Sequence, residues 1–218
     1  MSDSQKKNGC GCCMGRGCGL LIIVAGIFAV LIGWCYHLGA GRLRHGHYTS
    51  SSSGVVPIEN ANADDYSAVL KRMEAFKHAA PGSNATLTLT SHDLNVLIAF
   101  SPQWAGVRGK INTHIEGSDV SLIGSIPLAS IPELRDQYAN GTLRFTPSIE
   151  NKVLHVTIQD IKLKTHELSK AYMQLAIALL EPQLTNRLLG DPVIGAVLIK
   201  AETMKVENGA LVLTRAAD

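Results

Sequence analysis

Beyond Cys35 the chain has no cysteine. All five, Cys10, Cys12, Cys13, Cys18 and Cys35, lie close to the N-terminus of its 218 residues. The remainder of the chain therefore holds no disulfide, and at about 160 residues it is long enough to bury a core without one. A basic stripe is missing too. Residues 1–60 carry Lys6, Lys7, Arg16, Arg42 and Arg44 against Asp3 and Glu59, which leaves fifteen basic and sixteen acidic residues for 61–218. The mildly basic pI of 8.3 thus belongs to the N-terminal part. A domain with no cationic surplus has little with which to neutralise phosphates, so nucleic acid is not an expected partner.

Catalytic patterns are absent as well. The chain has no G-x-S-x-G, no phosphate loop and no dinucleotide fingerprint. Ser91-His92-Asp93 holds the residue types of a hydrolase triad, but neighbours on a helix point about 100° apart and cannot bond in series. His114 and Glu116 share one strand face and would need a third ligand to hold a metal, while His45 and His47 sit in a linker. The sequons at Asn84 and Asn140 are no more than chance supplies. No catalytic residue, metal site or cofactor is expected.

What is present first is one long apolar run. Leu20–Ala40 contains no Asp, Glu, Lys or Arg, and about 20 helical residues cross a hydrocarbon core of about 30 Å. Trp34 and Tyr36 lie near one end, where aromatic rings favour the headgroup layer, and Arg42 and Arg44 come just after. A cleaved signal peptide ending at Leu38-Gly39-Ala40 is the rival, but the run is long for one and a 19-residue leader precedes it. Lys6, Lys7 and Arg16 before the helix outnumber Arg42 and Arg44 after it, which favours a cytoplasmic N-terminus and an extracytoplasmic C-terminal domain. The leader Gly9–Gly19 (GCGCCMGRGCG) reads as a flexible, reduced tail; acylation is an alternative, and adjacent Cys12 and Cys13 suit a zinc knuckle poorly.

The expected organisation is a Gly/Cys-rich cytoplasmic tail (1–19), a transmembrane helix (20–40), a flexible linker (41–60) and a soluble domain (61–218). Three- and four-residue spacing of Tyr66, Val69, Leu70, Met73 and Phe76 predicts a helix over 63–79. Thr86–Thr90 alternates as a strand, and Thr90 with Asp93 forms a capping box for a short helix carrying Leu94, Leu97 and Ile98. Strands are expected at 107–116 and 120–128, joined at Gly117-Ser118-Asp119, and at 142–149 and 153–163. The apolar parity shifts after Ile158, which predicts a bulge or break near Gln159-Asp160. A closing hairpin, 203–207 and 210–215, turns at Asn208-Gly209. His166–Leu189 reads as a helix kinked or restarted at Pro182, its centre AYMQLAIALL apolar nearly all round and so expected inside the domain. The predicted fold class is α+β: a curved antiparallel sheet wrapped around a buried helix, preceded by one transmembrane helix.

Thr86–Leu97 (TLTLTSHDLNVL) and Val206–Leu213 (VENGALVL) resemble segments of small bacterial membrane-anchored proteins, the YpmS-like group. These are similar in outline to half of a tubular lipid-binding (TULIP) domain. The resemblance covers residues 86–218. It implies a curved sheet around a long helix and the binding of lipid or another hydrophobic ligand at the cell envelope. The candidate ligand-binding residues are Leu168, Tyr172, Leu175, Ala176 and Leu179, with room for a ligand beside Ala171, Ala176 and Ala178. The alternative is a non-enzymatic interaction protein with a solid core that docks to envelope partners. Membrane lipid is a partner in the first reading and envelope proteins in the second.

Overall fold

The computed structural model describes residues 48–80, 83–129, 134–164 and 166–215, and of His166, Glu167 and Tyr172 the backbone alone. The apolar run Leu20–Ala40, the cysteine cluster and His45 and His47 lie outside the described residues. Among the described residues no helix is long and apolar enough to cross a membrane.

The first helix, α1 (Ala63–His78), starts at a capping box the spacing did not reveal. Asn62 Oδ1 accepts from the amides of Asp64 (2.8 Å) and Asp65 (3.0 Å), and Asp65 Oδ2 accepts from the Asn62 amide. Val69, Met73 and Phe76 are its buried face, each stabilising the fold by about 1.5–3 kcal/mol through burial. Tyr66 stacks on Phe100 at 5.9 Å between ring centroids. Strand β1 (Thr86–Thr90) buries Leu87 and Leu89 and exposes its threonines. It runs directly into α2 (Ser91–Phe100), whose predicted Thr90/Asp93 capping box is present. Next is a 3-10 turn, Pro102–Val107. It takes Val107, expected to begin a strand, into the core instead.

Strands β2 (Ile111–Glu116), β3 (Asp119–Pro127), β4 (Tyr138–Glu150), β5 (Val153–Leu163) and the two-residue β6 (His166–Glu167) come next. After the long helix α3 (Lys170–Gly190) and the short α4 (Ile194–Leu198), the chain closes with β7 (Ala201–Glu207) and β8 (Ala210–Arg215). All eight strands join one sheet, and every pairing is antiparallel. The order β1-β8-β7-β4-β3-β2 forks at β4. One edge of β4 pairs with β3 over Tyr138–Phe145 and meets β7 at Ile149↔Met204, while the other carries β5. The predicted bulge is present. Arg144 pairs with Asp160 and Phe145 with Ile158, so Gln159 is the extra residue. The Ile158 amide donates to Glu181 Oε1 of α3 (2.8 Å), which ties that helix to the bulge. Asn208 and Gly209 both have positive φ, 53° and 73°, as a type I′ turn requires.

Two expectations need correction. Residues 166–169 are not helical, since α3 begins at Lys170, and Leu168 is buried ahead of it. Nor is α3 enclosed by the sheet. Ala176 and Leu180 are its buried residues, while Ala171, Gln174, Ala178, Pro182 and Asn186 are exposed. Alanine looks apolar in a periodicity reading, but its side chain is too small for exposure to cost much, and it is the best helix former. The helix therefore lies on the sheet with an alanine-rich outer side. Pro182 sits within an unbroken helix; the carbonyl that loses its donor belongs to exposed Ala178, where water can serve it.

Residues 48–60, expected as part of a flexible linker, run along the domain as a strap. Ser50 exchanges both backbone hydrogen bonds with Tyr138 (2.9 and 2.7 Å). The Gly54 amide donates to Ser125 Oγ and Asn140 Oδ1, each at 3.0 Å, and Asn140 Nδ2 donates to the Ser52 carbonyl. Farther on, Glu59 meets His92 and Asn95.

Candidate ligand cavity

Where β2, β3, β4, β7 and β8 face the helices, the side chains leave a cavity of about 160 Å³. Met73 of α1, Leu97 and Ile98 of α2, Leu184 and Leu188 of α3, and Val197 and Leu198 of α4 close it against Val120, Phe145, Met204 and Leu213 of the sheet. Each wall is there for a local reason. The capping box starts α2 so that Leu97 and Ile98 face inward. The α3–α4 corner is tight because Asp191 Oδ1 accepts from the amides of Val193 (2.8 Å) and Ile194 (2.9 Å). Gly195 comes so close to Leu189 that an added Cβ would strike its carbonyl. A dry void of about 150 Å³ lined by Leu, Ile and Phe holds a benzene-sized guest, so this one takes a short apolar body and not a whole lipid.

Of the five predicted site residues, the four whose side chains are described, Leu168, Leu175, Ala176 and Leu179, do not line this cavity. Leu168 and Ala176 are buried and Leu175 and Leu179 half-buried, all on the N-terminal side of Glu181; the Tyr172 side chain lies outside the described residues. The cavity instead meets the C-terminal half of α3 at Leu184, Arg187 and Leu188. Ala171 and Ala178, expected beside a ligand, face outward.

The wall carries few polar groups. Thr113 has its backbone engaged by the buried Asn95, whose Oδ1 accepts from the Thr113 amide (2.6 Å) and whose Nδ2 donates to its carbonyl (2.8 Å). Arg187 has a partner of its own. Trp104, on the 3-10 turn, is the third, and its buried indole Nε1 has no hydrogen-bond partner. A tryptophan in a Pro/Gly-punctuated stretch between helix and strand was the only signal the sequence offered for it.

Titratable groups gather elsewhere. His92 Nδ1 lies 2.7 Å from Glu59 Oε1 and its Nε2 3.9 Å from Asp65. The Glu59 carboxylate holds the imidazole above its ordinary value against an opposing effect of burial. Burial pushes the Asp93 carboxyl up, but the Thr90 amide and hydroxyl and the Arg72 guanidinium outweigh it and hold the group below the carboxylate range. Ser91 Oγ accepts from the Ile115 amide. Ser91, His92 and Asp93 thus turn to three different partners. A second, open depression of about 610 Å³ beside Lys77, His78, Lys200 and Arg215 is basic. There Arg215 is occupied by the Phe76 and Lys77 carbonyls, and Lys77 and His78 by Glu74.

Fold and cavity define an α+β domain with an antiparallel sheet and helices that together line an apolar cavity. No protein family, curated protein or solved structure matches the chain.

Proposed function

We propose that this domain binds the apolar portion of a lipid or similar hydrophobic ligand in the cavity between its sheet and helices. In this reading Leu20–Ala40 anchors it in a membrane and the domain lies on the extracytoplasmic side. The observation that carries the proposal is the void itself. Native cores fill to crystal-like density, and an apolar space of about 160 Å³ next to seven or more large aliphatic side chains is one an apolar guest would occupy. The YpmS-like and TULIP resemblance points the same way. Native mass spectrometry of the purified domain tests it: a bound mass in the lipid range that is lost on organic extraction supports the reading, and a bare polypeptide mass overturns it. For the topology, a membrane-impermeant thiol reagent applied to intact cells should label a cysteine at exposed Ser52 and miss Cys10–Cys18.

A second reading, an envelope interaction protein, draws on Val55 and Ile58. They are 95% and 89% exposed on the strap, where a partner would cover them. Replacing both with Asp would then release a partner retained by the intact protein without altering bound lipid.

A further inference from the structure

Trp104 sets a chemical condition on whatever fills the cavity. An indole N–H is a donor with no acceptor function, and buried polar groups are nearly always bonded. Trp104 Nε1 is buried without a partner. The ring is held by packing in the cluster of Ile98 and Val107, which Ile111 also joins, and by its place in the 3-10 turn, where its amide donates to the Ser101 carbonyl (3.1 Å). Those aliphatic neighbours offer no second polar group, and a water would need two to four polar partners to settle there.

We infer that the ligand is an apolar molecule bearing one uncharged acceptor oxygen, a carbonyl or an ester, that takes the Trp104 Nε1–H while its hydrocarbon fills the space between sheet and helices. This inference rests on the proposed hydrophobic-ligand function and specifies the ligand class. A carboxylate fits worse. The one cation on the described wall, Arg187, is already engaged, and a charge moved out of water needs a partner of its own.

The test uses the full chain in lipid nanodiscs and two probes of one shape, acetophenone and α-methylstyrene, which differ by an oxygen in place of a methylene. Methyl resonances of Ile98 and Val120 report occupancy of the cavity. With Trp34→Phe as background, a single indole N–H resonance reports on Trp104. Acetophenone should move that resonance, and α-methylstyrene should not. Trp104→Phe should weaken acetophenone about tenfold, the worth of one hydrogen bond in apolar surroundings, and leave α-methylstyrene within about twofold. Equal loss of both probes, or no loss of either, overturns the acceptor inference while the cavity stands. Failure of both probes to perturb Ile98 and Val120 in the unsubstituted chain overturns the hydrophobic-ligand reading itself. Should Trp104→Phe not fold, the indole resonance of the Trp104-containing protein decides alone.

Discussion

A single methylene added at Val120 distinguishes an empty cavity from a filled core by the sign of its effect. Val120 is 2% exposed, faces the cavity, and sits mid-sheet between Ile115 of β2 and Phe145 of β4. Val120→Ile keeps the β-branch and the strand preference, so backbone terms cancel. The extra carbon enters the void. Removing such a group from a core costs about 0.5–1.5 kcal/mol, and burying a methylene is worth about 0.8 kcal/mol, so Val120→Ile should stabilise by about 0.5–1.5 kcal/mol. Residues 48–218, stripped of lipid, would show this in urea as a higher midpoint with unchanged slope, and as a melting temperature raised by about 2–4 °C per kcal/mol. In a close-packed core the same carbon overpacks and costs about 1–3 kcal/mol. A lowered midpoint would refute the cavity and with it the ligand. Ala176→Trp is the companion measurement. Ala176 is fully buried but lies away from the void, so the ring should destabilise by about 1–3 kcal/mol or more without changing lipid per folded molecule.

The strap should count in stability. A fragment starting at residue 61 gives up the bonds made by Ser50, Ser52, Gly54 and Glu59 and should be about 2–4 kcal/mol less stable to urea than one starting at 48. Because Glu59 raises His92 in the folded state, the Glu59–His92 share of this contribution is fully present below the ordinary histidine value of 6.5 and is lost as pH rises through the folded-state value. A stability–pH profile should slope downward there, and His92→Asn should flatten it; an unchanged slope would mean that the pair contributes nothing. Glu181→Ala strands the Ile158 amide at the β5 bulge and should cost about 1–3 kcal/mol in chemical denaturation.

Much of the sheet was legible because its signals are local. The parity shift after Ile158 pointed to the neighbourhood of the bulge, Asn208-Gly209 named its own turn, and Thr90 with Asp93 announced a helix start. The site was not legible, because it arises where distant segments meet. Met204 reaches Ile149 across the fork in the sheet, and the Val193–Leu198 corner, short and without periodicity, brings Val197 and Leu198 over the void. The strap escaped for the same reason. Ser50–Gly54 reads as a tether by composition, while its fastening depends on Ser125 and Asn140, 71 and 86 residues from Gly54. Alanine misled in the opposite direction: Ala171 and Ala178 filled out an apolar helix on paper and face outward in the fold.

The strap also sets how the domain responds to being pulled. Tension on the chain ahead of Tyr48 would load Tyr48, packed against the core, and buried Thr49 first, then the Ser50–Tyr138 pair, then the Ser52 and Gly54 contacts with Asn140 and Ser125, and last the Glu59 contacts with His92 and Asn95. These fastenings lie in series along the pulled strand, so they yield one after another at low force, as a zipper does. Peeling residues 48–60 releases roughly 40 Å of extended chain before load reaches the capping box of α1. The strap is thus a stored length, taken up at rest and let out under load, with the helix α1 mechanically shielded until the last of it has peeled away.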